Sequence, residues 1–291
     1  MRILLLGKIG QLGWELCRTL APLGDITAVD YPEIDLTRAE AVRGVVRQVR
    51  PQVIVNATAY TAVDRAETEP EIAMAINGQA PGLMAEEAAQ LGAALIHYST
   101  DYVFDGTKGS PYFEADPANP LGMYGRSKLA GEEAIERVGG AYIILRTSWV
   151  YSLRRDSFVT KVLQWSRQQT ALRMVTDQVS NPTWSRMLAE ATALVLAKGG
   201  ENVVDWVAER SGVYHLAGSG YASRLEWGQA ILRCDPHSEE QTAREILPAL
   251  TADFPTPAQR PLYSALNCDR FTQTFSLRLP DWEAALRMAM E

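Results

Sequence analysis

The sequence predicts an α/β fold: a doubly wound parallel sheet followed by a smaller, mixed C-terminal lobe. Three observations predict it. Short aliphatic runs alternate with helix-length stretches through the first half, a glycine-rich turn follows the first run, and the pattern changes near residue 150.

Arg2–Leu6, Ile26–Val29, Val53–Asn56, Ala94–Tyr98 and Tyr142–Leu145 are the predicted strands, with helices over Leu12–Ala21, Arg38–Val49, Pro70–Gln90 and Tyr124–Arg137. Strand, helix and strand at this spacing form βαβ units and hence a parallel sheet covered on both faces. Strands buried on both faces read as unbroken apolar runs, which fits Ile3–Leu6 and Val53–Val55. Later, prolines, tryptophans and turns multiply, as in Asn181-Pro182-Thr183-Trp184 and Pro255-Thr256-Pro257. Helices over Trp184–Ala197, Leu225–Leu232 and Asp281–Met290 there alternate with short strands such as Gly212–Leu216.

Composition narrows the function classes. The 291 residues are 47% hydrophobic and 22% charged, which excludes a disordered chain or a coiled-coil rod. Twenty-eight Lys+Arg against 35 Asp+Glu give a net charge of −7 with no basic block, so no nucleic-acid partner is expected. The apolar runs are strand-sized, far below a membrane span, and Lys8 ends the first before a secretory core can form. The chain is expected to be cytoplasmic. Cys17, Cys234 and Cys268 lie far apart without a CxxC, which reads as reduced structural thiols.

The turn after the first strand is Gly7-Lys8-Ile9-Gly10-Gln11-Leu12-Gly13, a GxxGxxG opening a helix. Such a turn aims backbone N–H groups and a positive helix end at one point, and glycines let a pyrophosphate approach. Asp30 closes the second strand seventeen residues after Gly13, where a carboxylate accepts the adenosine ribose hydroxyls. This is the Rossmann-like fingerprint of NADH or NADPH. Asp30 repels a 2′-phosphate and favours NADH, a preference that Arg2 or Lys8 would soften. Ligands of such sheets bind at the carboxyl ends of the strands. That places Ala59, Tyr60 and Thr61 near the ribose and nicotinamide, Asp35 and Leu36 beside the adenine, and Tyr98 among the cofactor contacts. Residues 1–150 read as the dinucleotide-binding domain, and 151–291 mainly as a substrate lobe, with segments able to cross between them.

Tyr124-Gly125-Arg126-Ser127-Lys128 is a YxxxK at a helix entrance. Four residues apart, the two side chains share one helix face. A free tyrosine titrates near pH 10; a neighbouring ammonium stabilises the phenolate and draws that value toward neutrality. Tyr124 would then protonate a carbonyl oxygen while a dinucleotide delivers hydride. Ser99-Thr100-Asp101-Tyr102 follows the fourth strand, so its hydroxyls emerge at the same sheet edge and complete a hydroxyl–Tyr–Lys triad. His97, His215 and His237 are scattered, and His97, inside a strand, reads as a satisfied core histidine. Trp14 and Trp149 are candidate pocket walls.

With these motifs the chain resembles the extended short-chain dehydrogenase/reductases, and among them the dTDP-4-dehydrorhamnose reductase family. The matching stretches run nearly end to end: GKIGQLGWEL, RPQVIVNATAYTAVDRAE, IHYSTDYVFDG, YGRSKLAGE, RTSWVY and PTPAQRPLYSALN. The resemblance implies reduction of a nucleotide-linked 4-ketosugar, with Tyr124 as general acid, Lys128 as its partner and Thr100 as the hydroxyl on the carbonyl. It also implies that Asp101 and Trp149 lie against the sugar nucleotide and Arg260 against its diphosphate. Some members dimerise through Mg²⁺, for which Glu15, Glu190 and Glu291 are the acidic candidates in a homodimer. Thr58 stands where the family usually has alanine, and Tyr60 where some members carry histidine.

Rival readings remain. Dehydratases of this build carry an Asp-Glu pair after the catalytic threonine, whereas Asp101 is followed here by Tyr102. Epimerases share the same triad and return the hydride they take. A non-catalytic regulatory subunit of the same build, as in methionine adenosyltransferase, is the third alternative.

Overall fold

The computed structural model describes residues 1–291. Its central sheet contains β1 (Arg2–Leu6), β2 (Asp25–Val29), β3 (Val53–Asn56), β4 (Ala94–Thr100), β5 (Tyr142–Thr147) and β6 (Gly212–His215). All pair in parallel, in the spatial order β6-β5-β4-β3-β1-β2. The order reverses between β1 and β3, so the loops that follow these strands diverge and open a crevice at the carboxyl edge. β6 comes from the second half of the chain and completes the sheet beside β5.

The strands are aliphatic because both faces are covered. On β1, Ile3 and Leu5 enter one core with Leu12 and Leu16 of α1 (Gln11–Thr19) and Leu188 of the helix Ser185–Gly199. Leu4 and Leu6 point the other way, into a core with Val42 and Val46 of α2 (Ala39–Val49), Met84 of α3 (Ala80–Leu91) and Ile135 of α4 (Met123–Val138). Each such side chain stabilises the fold by about 1.5–3 kcal/mol relative to exposure. No helix is long and apolar enough to cross a membrane.

The helix predicted over Pro70–Gln90 is interrupted. It runs from Pro70 to Met74, widens through a π-type turn at Ala75–Gln79, and resumes as α3. Asn77 in that turn accepts from the Tyr60 N–H (2.8 Å) and donates to the Tyr60 carbonyl (3.1 Å) and the Ser127 hydroxyl (3.0 Å). The wide turn therefore ties the loop after β3 to α4. A further core gathers Tyr151, Met174, Trp227, Ile231, Trp282 and Leu286 from the second half. Its helix Phe158–Gln168 is not predicted from the sequence; Ser157 caps it by accepting from the Thr160 N–H (3.3 Å).

Candidate active site

Two glycines make the turn after β1. Gly7 has φ +94°, and a Cβ on Gly13 would lie 1.8 Å from the Gly7 carbonyl oxygen, so α1 can cross the turn only without a side chain there. No side chain caps α1 at Gly10, which leaves its positive end open, and the Gln11 Oε1 is buried without a partner. An open helix end plus an orphan acceptor fits the pyrophosphate and hydroxyls of a dinucleotide. Leu12, by contrast, is buried in the core beneath the turn. Asp30 accepts from the Ile9 N–H (3.0 Å) and the Tyr31 N–H (2.8 Å), so the carboxylate braces the turn itself. Lys8 is paired with Glu33, and the Arg2 Nε donates to the Arg50 carbonyl at the opposite end of β1. Arg2 therefore has no part in this pocket, contrary to the sequence expectation.

Around the crevice, Asp35 is held by the Thr37 N–H (3.0 Å) and hydroxyl (2.6 Å), and Leu36 packs against the core. Ala59 and Tyr60 are half-buried and Thr61 is exposed on the loop after β3. The Tyr60 phenol donates to Glu69. Tyr98 turns its phenol into the core against Thr192 and presents its carbonyl instead, to Lys128.

Tyr124 and Lys128 lie in the first turns of α4, beside Thr100 at the end of β4. The Tyr124 ring meets Tyr102 edge-on at 5.7 Å. Burial pushes the Tyr124 phenol above its ordinary value, the Thr100 hydroxyl draws it back, and the Asp101 charge raises it again. The YxxxK spacing puts both side chains on one helix face, where the ammonium would stabilise the phenolate. The structure instead turns the buried Lys128 Nζ toward the Tyr98 carbonyl (2.6 Å) and His97 Nε2 (3.2 Å). Burial lowers Lys128 to about 8, with Glu132 opposing the shift. Glu132 is held by Arg146 (2.6 Å) and Ser99, all three buried.

Asp101 is 2% exposed. Its carboxylate accepts from Thr100 (3.1 Å), Ser180 (3.1 Å) and Ser264 (2.5 Å), which joins the end of β4 to two segments of the second half. Burial raises it to about 6 against the pull of those hydroxyls. It acts here as an internal tie and not as an open ligand contact. Trp149 adopts φ +40°, stacks on Trp227 at 5.4 Å and lies under the Arg224 guanidinium at 3.7 Å. A non-glycine residue held in that backbone region marks stored strain. Arg260 forms a fork to Asp64 (3.1 and 2.8 Å).

Several neighbours were not read from the sequence. The Arg224 guanidinium makes no hydrogen bond or ion pair and rests on aromatic faces, while Arg155 donates to the Ile9 carbonyl (2.6 Å) across the glycine turn. Both lie in the less regular second half, where spacing carries no signal. Glu15 and Glu190 line one cleft with Trp14, Arg18, Arg154 and Arg186, and Arg186 pairs with Glu190 (2.9 Å). The guanidiniums of Arg18 (3.3 Å) and Arg154 (4.6 Å) both approach the Trp14 ring there. Glu15, Glu190 and Glu291 do not come together as a trio within one chain; the exposed His237, Glu239 and Glu240 do approach one another closely.

The model of the family described as the RmlD substrate binding domain matches residues 1–291. This chain belongs to that family. The dTDP-4-dehydrorhamnose reductase of Burkholderia thailandensis is similar at 40% identity, over 100% of this chain and 98% of its own length. A solved dTDP-4-dehydrorhamnose reductase from Clostridium acetobutylicum is similar at TM-score 0.90 and 30% identity, covering 100% of this chain and 98% of that one. Another, from Bacillus anthracis in complex with NADP, gives TM-score 0.87 and 31% identity over 99% of this chain and 97% of that one. The RmlD family match thus spans both halves of the fold, including β6 and the helix Ser185–Gly199 that tie them together.

Proposed function

We propose that this chain reduces the 4-keto group of dTDP-4-dehydro-L-rhamnose to dTDP-L-rhamnose, with NADPH or NADH as reductant. The observation that carries the reading is the convergence of Thr100, Tyr124 and Lys128 at the sheet edge onto which the glycine turn also opens. The named relatives support the substrate, and the relative crystallised with NADP supports a phosphorylated dinucleotide as one acceptable cofactor. When bound, the reduced nicotinamide supplies hydride to the ketone carbon. Gly7, Gly10, Gln11 and Gly13 hold the dinucleotide's phosphates, and Asp30 holds its ribose. Thr100 donates to the ketone oxygen, Tyr124 gives that oxygen its proton, and Lys128 restores the proton to Tyr124 through intervening hydroxyls and water. Residues 151–291 mainly hold the sugar nucleotide, with Trp149 against it and Arg260 and Arg224 on the diphosphate. A homodimer belongs to the proposal, supported by the exposed Leu153 lining the Glu15–Glu190 cleft.

Tyr124→Phe tests the reading. The variant keeps the ring, so it should fold and bind dinucleotide like the parent while kcat falls by about 10²–10⁴-fold. Equal turnover by both chains would remove Tyr124 from the chemistry.

A further inference from the structure

His97 and Asn56 are cross-strand partners in the register of β4 and β3, both wholly buried. The orientation of the Asn56 amide is fixed by its neighbour. The Thr58 backbone N–H, which can only donate, points at Asn56 Oδ1 (3.1 Å), so the amide nitrogen Nδ2 is the atom facing His97 Nδ1 (3.0 Å). Nδ1 must then accept, and a neutral imidazole with Nδ1 unprotonated carries its hydrogen on Nε2. That Nε2–H points at Lys128 Nζ, 3.2 Å away. An amine has a lone pair to accept it; an ammonium has none and would set N–H against N–H.

We infer that His97, locked by Asn56 as the Nε2–H tautomer, favours the amine form of Lys128 and so makes the Lys128 ammonium a stronger acid toward the Tyr124 phenolate. The inference rests on the roles proposed above for Tyr124 and Lys128, and it makes His97 a positioning residue acting through Lys128. In the step it serves, an N–H bond of the ammonium breaks, its proton passes along bridging water, and the phenol O–H forms at Tyr124. The resulting amine accepts from His97 Nε2–H until a solvent proton restores the ammonium. The other groups around Lys128 do not supply the same effect. Glu132, one turn along α4, opposes it and is shared with Arg146 of β5 and Ser99 of β4. Asp101 and Tyr102, on the turn packed against α4, act on Tyr124 and not on Lys128. The lowered basicity of His97 and of Lys128 agrees with this arrangement.

The test uses the full chain without cofactor, labelled with ¹⁵N-histidine. The His97 ring, assigned by its loss in His97→Gln, should show a protonated Nε2 and a bare Nδ1 across neutral pH. A proton on Nδ1, or an imidazolium, would overturn the inference. Lys128, followed in ¹³C-lysine spectra, should titrate near 8 in the parent. In His97→Gln, whose carbonyl can accept from the ammonium without adding charge, the midpoint should rise by about one unit or more. The alkaline limb of kcat/KM should move up with it. An unmoved midpoint in the folded variant would refute the assignment. Because the spectra need no turnover, a chain inactive on ketosugars would sink the proposed reaction and leave the His97 result readable.

Discussion

Asp101→Asn probes how the two halves are tied together. The carboxylate is buried among three hydroxyls and titrates at about 6, against an ordinary value of 3.8. A folded-state value above the unfolded one means that the protonated form stabilises the fold. That contribution is complete below the unfolded value and is lost as pH rises through the folded one. Linkage puts the loss between pH 4.5 and 7.5 at about 2 kcal/mol. Asparagine removes the titration while keeping an acceptor, and the serine hydroxyls can turn to accept from its Nδ2. Urea unfolding of parent and variant at matched pH values cancels the other acids. The variant should therefore gain about 2 kcal/mol relative to the parent over that range, most of it below pH 6. A stability difference that is flat with pH, or that falls, would refute the reasoning, because Asp101 would then be as well solvated folded as unfolded.

Two further outcomes follow from the site. Gly13→Ala forces a Cβ to 1.8 Å from the Gly7 carbonyl oxygen, so the turn must shift; a fluorescence titration should show dinucleotide binding lost or weakened at least roughly tenfold. Unchanged affinity would remove the turn from cofactor binding. Arg260→Lys keeps the charge and removes the fork, and should raise KM for the sugar nucleotide by roughly 10–100-fold with little change in dinucleotide affinity. A KM equal to the parent's would leave Arg260 as the partner of Asp64 alone.

Much of the first half was legible because its signals are local. The strands β1 to β5 announce themselves as apolar runs, and the glycine turn and YxxxK sit at fixed offsets from them. What escaped depends on contacts between distant segments. Gly212–Leu216 reads as a short strand, but nothing in it says that Gly212–His215 pairs with β5, some 70 residues earlier. The break at Ala75–Gln79 exists because Asn77 bonds Tyr60 and Ser127, neither close to it in sequence. His97 does read as a satisfied core histidine, and it is buried and bonded as such. Its contact with Lys128 became visible only when β4 and α4 were placed together. The predicted pull of Lys128 on Tyr124 gave way for the same reason, since the Tyr98 carbonyl and His97 hold the amine.

The most direct measurement counts reductant against product. Purified chain, dTDP-4-dehydro-L-rhamnose and NADPH or NADH should consume one dinucleotide for each dTDP-L-rhamnose formed. Conversion of a nucleotide sugar over many turnovers with the nicotinamide absorbance unchanged would contradict the account and point to an epimerase.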